Sequence, residues 1–281
     1  IERIVEACNK IVQIITSNYN ITVVAGRLEV HPRNLTIQTE NSSKIYDGTE
    51  LLHKAYSFVD GNLGNNHSVT VSGFSGITDV GTTLNTANIV ITDENGLNIT
   101  DNYTIQTNWG SLTVNPRPLT IELGSSQKVY DGLELYNKTY NVIYGSLAAN
   151  HSITLSNNTR VTNVGIYENT AKLIIRNSNG LNVTSNYDYN VESGSLIINP
   201  VQLSIESASA EKVYDGAPLM ESDWELVDGT VPYGFKLYVN NSTKLINVGN
   251  VENRCYPQVL NNKGIDVTDN FDFNMVYGSL V

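Results

Sequence analysis

Cysteine is nearly missing from this 281-residue chain: there are two, Cys8 and Cys255. They sit in different parts of a repeating pattern and neither recurs within it, so no disulfide framework holds the fold, and both read as incidental. Basic residues are scarce as well. Seventeen Lys and Arg stand against 28 Asp and Glu, for a net charge of −11. That excludes a nucleic-acid partner, which needs a basic surface to neutralise phosphates, and argues equally against anionic lipid. No apolar run is long enough for a helical membrane span, and no secretory leader is visible. The four histidines, His31, His53, His67 and His151, show no paired metal-ligand spacing. No nucleophile elbow or phosphate-cradling glycine loop is present. The chain is read as not an enzyme, with no cofactor and no metal.

What is abundant is repetition. Lys44-Ile45-Tyr46-Asp47-Gly48 returns as Lys128-Val129-Tyr130-Asp131-Gly132 and as Lys212-Val213-Tyr214-Asp215-Gly216, 84 residues apart each time. Val80-Gly81, Asn102-Tyr103 and Gly110-Ser111-Leu112 recur at the same interval, and Asn18-Tyr19 and Gly26-Arg27-Leu28 extend it backwards. The expected organisation is therefore a partial repeat over 1–31 and whole repeats over 32–115, 116–199 and 200–281. Beginning in mid-repeat, the sequence reads as a piece of a longer array. A unit of this length is large enough to carry its own small core.

Within a repeat the pattern is that of strands. Leu119, Ile121 and Leu123 alternate with polar residues, the period-two signature of a half-buried strand. Turn dipeptides such as Asp131-Gly132 stop each run. Near the end of every copy the alternation slips by one residue. Tyr187, Tyr189 and Val191 share one parity, and Leu196 and Ile198 the other, with Gly194 between them. A one-residue slip turns the side chains to the opposite face, so a bulge or bend is expected at Gly110, Gly194 and Gly278. No whole repeat carries a helical stripe; each should hold roughly six to eight strands. Residues 2–15 are the exception, with apolar side chains at helical spacing. The expected fold is all-β: three tandem small β-sandwich repeats, Ig-like or β-grasp-like, each closed on a private core. Short proline-containing links at Pro32, Pro116 and Pro200 restrict hinge motion, which implies an elongated, monomeric rod of roughly 100 Å.

The order Lys-Val-Tyr-Asp-Gly, Asn150-His151, Thr162-Asn163-Val164-Gly165, Asn186-Tyr187 and Gly194-Ser195-Leu196 resembles the YDG/MBG-type repeats of bacterial cell-surface adhesins and haemagglutinin-like proteins. The resemblance implies an exported, surface-attached, multi-repeat β-rich protein without catalytic activity. It implies a stalk or spacer that projects an adhesive tip from the cell wall. The alternative is that the repeats themselves bind host glycans or surface proteins through exposed aromatics such as Trp109, Tyr144 or Trp224. The third copy departs from the pattern, with Phe235 in place of histidine and Phe271 in place of tyrosine.

Three local options accompany this reading. The structural signature of Lys44, Tyr46, Asp47 and Gly48, with Lys128, Tyr130, Asp131 and Gly132 and with Lys212, Tyr214, Asp215 and Gly216, is a turn with a packed tyrosine ring. Calcium at the Asp93-Glu94-Asn95 turn is the functional rival. A Lys–Asn isopeptide link joining Lys44, Lys128 or Lys212 to Asn102, Asn186 or Asn270 is the sharper one. Because Phe235 takes the register of His67 and His151, those histidines are read as packing groups: phenylalanine can fill space but cannot act as a base or ligand.

Overall fold

A computed structural model describes residues 20, 22 and 26–281. The helix expected over 2–15 lies outside the described residues, as does Cys8. The fold is all-β: 25 strands and three one-turn 3-10 helices, with no α-helix among the described residues. The three whole repeats hold ten, eight and seven strands. The first exceeds the expected range because Leu51–Leu52 and Gly76–Ile77 form a short ladder there, where the later copies keep single bridges, Leu135 to Val161 and Leu219 to Leu245.

Each repeat opens with a strand whose alternate residues are buried. Arg117–Leu123 buries Leu119, Ile121 and Leu123. It pairs antiparallel with Tyr140–Gly145 on one edge and parallel with Tyr187–Glu192 on the other. The register recurs: Arg33 opposes Tyr103, Arg117 opposes Tyr187, and Val201 opposes Phe271. A separate antiparallel pair, such as Ser152–Ser156 with Lys172–Arg176, completes this half of the repeat.

The other half is a second small sheet. In the middle copy Gly194–Asn199 runs parallel to Ser126–Val129 and antiparallel to Gly165–Asn169. One continuous stretch of chain thus serves two sheets, the first through Tyr187–Glu192 and the second through Gly194–Asn199. The change of sheet falls where the sequence pattern slips phase. Register shifts lie elsewhere, in the opening pair of each repeat, where Ile143 is skipped between Tyr144 and Val142, and Val227 between Asp228 and Leu226. Glycine is required at the change of sheet by close approach rather than by backbone angle. A Cβ on Gly110 would lie 2.5 Å from the Glu40 carbonyl oxygen, one on Gly194 2.4 Å from that of Leu123, and one on Gly278 2.5 Å from that of Ser207. None of the three has positive φ.

By contacts the chain divides into two compact units. One comprises residues up to Glu40, Lys54–Ser75 and Asn85–Gly110; the other comprises Asn41–His53, Gly76–Leu84 and Ser111–Val281. The first unit is built around Leu35, Ile37, Ile91 and Tyr103. The second holds two cores. In one, Tyr46, Leu51, Leu112 and Val114 pack with Leu119, Ile121, Leu173, Ile175 and Tyr187. In the other, Tyr130 and Ile198 pack with Val201, Leu203, Val259 and Phe271. The expectation of a private core inside each 84-residue repeat is therefore corrected. One core crosses Pro116 and the other crosses Pro200, so the second sheet of one repeat and the opening sheet of the next bury their apolar faces together. Burial follows which faces meet in space, not where the sequence period is cut.

Candidate functional site

The two places where successive repeats share a core carry the most organised polar and aromatic chemistry in the molecule, and the recurrent pentapeptide sits at both. The corner is locally determined. Asp47 accepts the Thr49 amide at 2.9 Å, and Gly48 takes φ 82°, a left-handed turn that glycine adopts without steric cost. Lys44 Nζ lies 2.7 Å from Asp47 Oδ1 and donates to the Thr49 carbonyl at 2.7 Å. The corner is built in the same way at Lys128, Asp131 and Leu133 and at Lys212, Asp215 and Ala217. The Lys44 hydrogen bond, with help from the Thr49 amide, holds the Asp47 carboxyl at about 2. At Asp131 burial pushes upward, but Lys128 and the Leu133 amide outweigh it and the carboxyl titrates low.

This turn aims a tyrosine into the next repeat. Tyr46 is 2% exposed. Its ring meets Tyr187 edge-on at 5.7 Å between centroids and His151 at 5.8 Å. The Tyr187 hydroxyl accepts the Ala148 amide at 3.0 Å and shares a 2.7 Å hydrogen bond with His151 Nδ1. Burial, followed by the nearby Arg117 charge, pushes the His151 pKa down and keeps the ring neutral. Arg117 donates to the Ser146 carbonyl at 2.6 Å and to the Tyr46 carbonyl at 3.3 Å. Asn186, 4% exposed, accepts the Val80 amide at 2.8 Å and donates to Asp79 at 2.8 Å.

At the second junction the same positions carry different chemistry. Tyr130, 3% exposed, packs on Phe235 at 5.5 Å and edge-on to Phe271 at 5.8 Å. Asn270 accepts the Val164 amide at 2.7 Å. Asn150 and Gly234, which precede the two interchangeable rings, both have positive φ, 60° and 88°. Asn-His can thus become Gly-Phe without disturbing the turn.

The structure places the remaining candidates as follows. Lys128 is engaged by Asp131 and Leu133, whereas Asn186 is engaged by Val80 and Asp79; the two are not hydrogen-bonded to one another as an isopeptide pairing would require. Asp93 is occupied by the Asn95 and Leu97 amides, both at 2.9 Å, and the neutral Asn177 fills the same role one repeat later. No cluster of three or more metal-ligating side chains occurs among the described residues. Tyr144 is exposed and Trp109 half-buried. Cys255 is buried within its core and free of any disulfide.

Sequence reasoning missed one set of residues. Asn85, Asn169 and Asn253 are all fully buried. Asn169 donates to the carbonyls of Gly124 and Asn137, and Asn253 to those of Ala208 and Glu221. They tie down the chain beside the glycine where the strand changes sheet. The signal was present, since all three recur at the 84-residue interval, but asparagine is so common in this chain that one more recurrence passed as composition.

No family profile matches this chain, and no characterised protein is detectably similar to it in sequence. The likeness to YDG/MBG repeats therefore rests on the motifs quoted above.

Proposed function

We propose that the chain is a stiff spacer, a segment of the stalk of a bacterial surface adhesin that holds a binding tip away from the cell wall. The observation that carries this reading is the pair of hydrophobic cores that run across Pro116 and Pro200. A spacer must resist bending between its modules. A link whose flanking strands are buried in one core can bend only by exposing Leu112, Val114 and Tyr46, or Ile198 and Tyr130, all nearly inaccessible to solvent. Exposing side chains of this size costs roughly 1.5–3 kcal/mol each. A flexible tether would carry no such penalty. The modules are small all-β repeats. Parallel pairing of the opening strand with the penultimate strand of the repeat, Arg117–Leu123 with Tyr187–Glu192, favours the β-grasp-like topology, because immunoglobulin sandwiches are built from antiparallel sheets. The reading predicts an elongated particle in small-angle X-ray scattering, with a maximum dimension of roughly 100 Å or more. A compact particle of globular dimensions would defeat it.

A second reading is favoured by one feature, a polar cleft of about 930 Å³ lined by Tyr233, Asn261, Lys263, Asp266 and Asp269 among others. Tyr233 is fully exposed. An open aromatic ring amid amide and carboxylate groups is the combination that stacks on a sugar and hydrogen-bonds its hydroxyls. A glycan array probed with the whole chain separates the two: silence supports the spacer, and a clean hit that Tyr233→Ala abolishes supports an adhesive module.

A further inference from the structure

The two junctions inside the second unit are fastened to different degrees. At the first, Asn186 accepts the Val80 amide at 2.8 Å and donates to Asp79 at 2.8 Å, and Arg117 donates to the Tyr46 carbonyl at 3.3 Å. All of these bonds cross from one repeat to the next. At the second, a single side-chain bond crosses among the described residues, from the Val164 amide to Asn270 at 2.7 Å. Val201 stands where Arg117 does and has nothing to donate from its side chain. Asn163 replaces Asp79, and the Asn270 amide group turns back to the Val267 carbonyl of its own repeat at 3.2 Å. Both junctions bury an aromatic core, but only the first adds a polar clamp over it.

The polar cleft of about 930 Å³ lies at this second junction, and its walls belong to different repeats. Asp131 and Asn163 come from the earlier one, and Tyr233, Asn261 and Asp269 from the later one. Tyr233 and Asp269 have no equivalents at the first junction, where the same register holds Ala149 and Ser185. Tyr233, Asn163 and Asp269 are all exposed, so their polar atoms and the tyrosine ring are open to a solute. The junction that lost its own clamp is thus the one that gained a stacking ring and a carboxylate beside the border.

We infer that a short neutral oligosaccharide bound in this cleft fastens the second junction, hydrogen-bonding to both repeats as Arg117 and Asp79 do at the first. The sugar stacks on Tyr233, and its hydroxyls reach the amide and carboxylate groups of both walls. A neutral sugar is required because Asp131 and Asp269 line the cleft and repel an anionic one. A ligand that touches both walls binds only the closed joint, so occupancy stiffens it by linkage. The inference rests on the reading of this cleft as a sugar site and adds that binding and stiffness are coupled there.

The test uses the whole chain with three trisaccharide probes: cellotriose, N-acetylchitotriose and a sialylated lactose. Calorimetric titration measures binding. Hydrogen exchange at the Val164 amide and the distance distribution between spin labels at Glu168→Cys and Glu225→Cys, in a Cys8→Ser background, measure the joint. Both label positions are exposed, one in each repeat, and Cys255 is buried. A neutral probe should bind, narrow the label distribution, and slow Val164 exchange roughly tenfold at ten times its Kd. Exchange at Val80, in the junction already clamped, should not change. The sialylated probe should bind at least roughly tenfold more weakly. Tyr233→Ala should abolish binding and both joint effects with its thermal melt unchanged, since the ring is fully exposed. Binding of a neutral probe with an unchanged label distribution would overturn the coupling and leave the sugar reading standing. A preference for the sialylated probe would overturn the assignment of a neutral ligand. Silence from all three would remove the sugar reading, and the coupling with it.

Discussion

The junction at Tyr46 and the junction at Tyr130 perform the same task with different chemistry. Both bury one tyrosine from a tight turn between two aromatic groups, and both capture a backbone amide with a buried asparagine. The first seats its tyrosine on a neutral histidine tied to Tyr187, with Arg117 bridging the two repeats. The second seats it on Phe235 and Phe271, and Val201 stands where Arg117 does. What the two junctions share is shape and apolar area, and what differs is polarity. Packing is therefore what the position demands. The histidine adds a hydrogen bond and a dependence on pH that the phenylalanine seat lacks.

The largest effect should come from removing the tyrosine. Tyr46→Ala and Tyr130→Ala should each cost about 3–5 kcal/mol in denaturant unfolding, whereas Tyr214→Ala, at a position 62% exposed, should stay within about 0.5 kcal/mol. Equal losses at all three positions would mean that the corner, not the junction, needs the ring. Next in size are the asparagines. Asn186→Ala and Asn270→Ala each leave a part-buried amide without an acceptor, at a cost of about 1–3 kcal/mol. Asn102→Ala, at an exposed site, should be near neutral in the same measurement.

The comparison sharpens with pH. Burial lowers the His151 pKa in the folded state, so the unfolded chain takes up that proton first. The stability contributed by neutral His151 is present above the unfolded value of about 6.5 and is lost as pH falls through it toward the lower folded value. Chemical denaturation of the parent at pH 7.5 and pH 5 should show this loss, and His151→Phe should remove most of it by copying the second junction. An unchanged pH dependence in the variant would show that the proton is taken up elsewhere. The smallest effect belongs to the corner ion pairs. Lys128→Met should cost about 1 kcal/mol or less, since Asp131 is largely open to solvent and the pair is screened. Asp47 titrates at about 2 against an ordinary 3.8. Its contribution is thus present above that ordinary value and disappears only as pH falls from there toward 2.

Much of this was legible in the residues. Alternation in Leu119, Ile121 and Leu123 gave the strand and its buried face. Asp-Gly gave the turn, and the appearance of Phe235 in the register of His151 pointed to packing, which both rings do against a junction tyrosine. The phase slip at Gly194 falls where the chain passes from one sheet to the other, while the register shifts lie in the opening strand pairs. The reason for glycine there was not legible, because the carbonyls of Leu123 and Gly124 that exclude a Cβ lie about 70 residues away in sequence. The roles of Asn169 and Asn253 were hidden for the same reason, since their partners are distant backbone carbonyls that no local pattern announces.

The sequence by itself determined the period, the strands and the turns, because these depend on neighbours a few residues apart: alternation, glycine and aspartate at corners, proline at the links. Only the tertiary structure decided where one packing unit stops and the next begins. A strand that leaves one sheet at Gly194 and joins another carries its apolar face away from its own repeat, and that face lies against whichever surface comes next in space. Here that surface belongs to the following repeat, and so the stable unit runs across the proline that the period marks as a border.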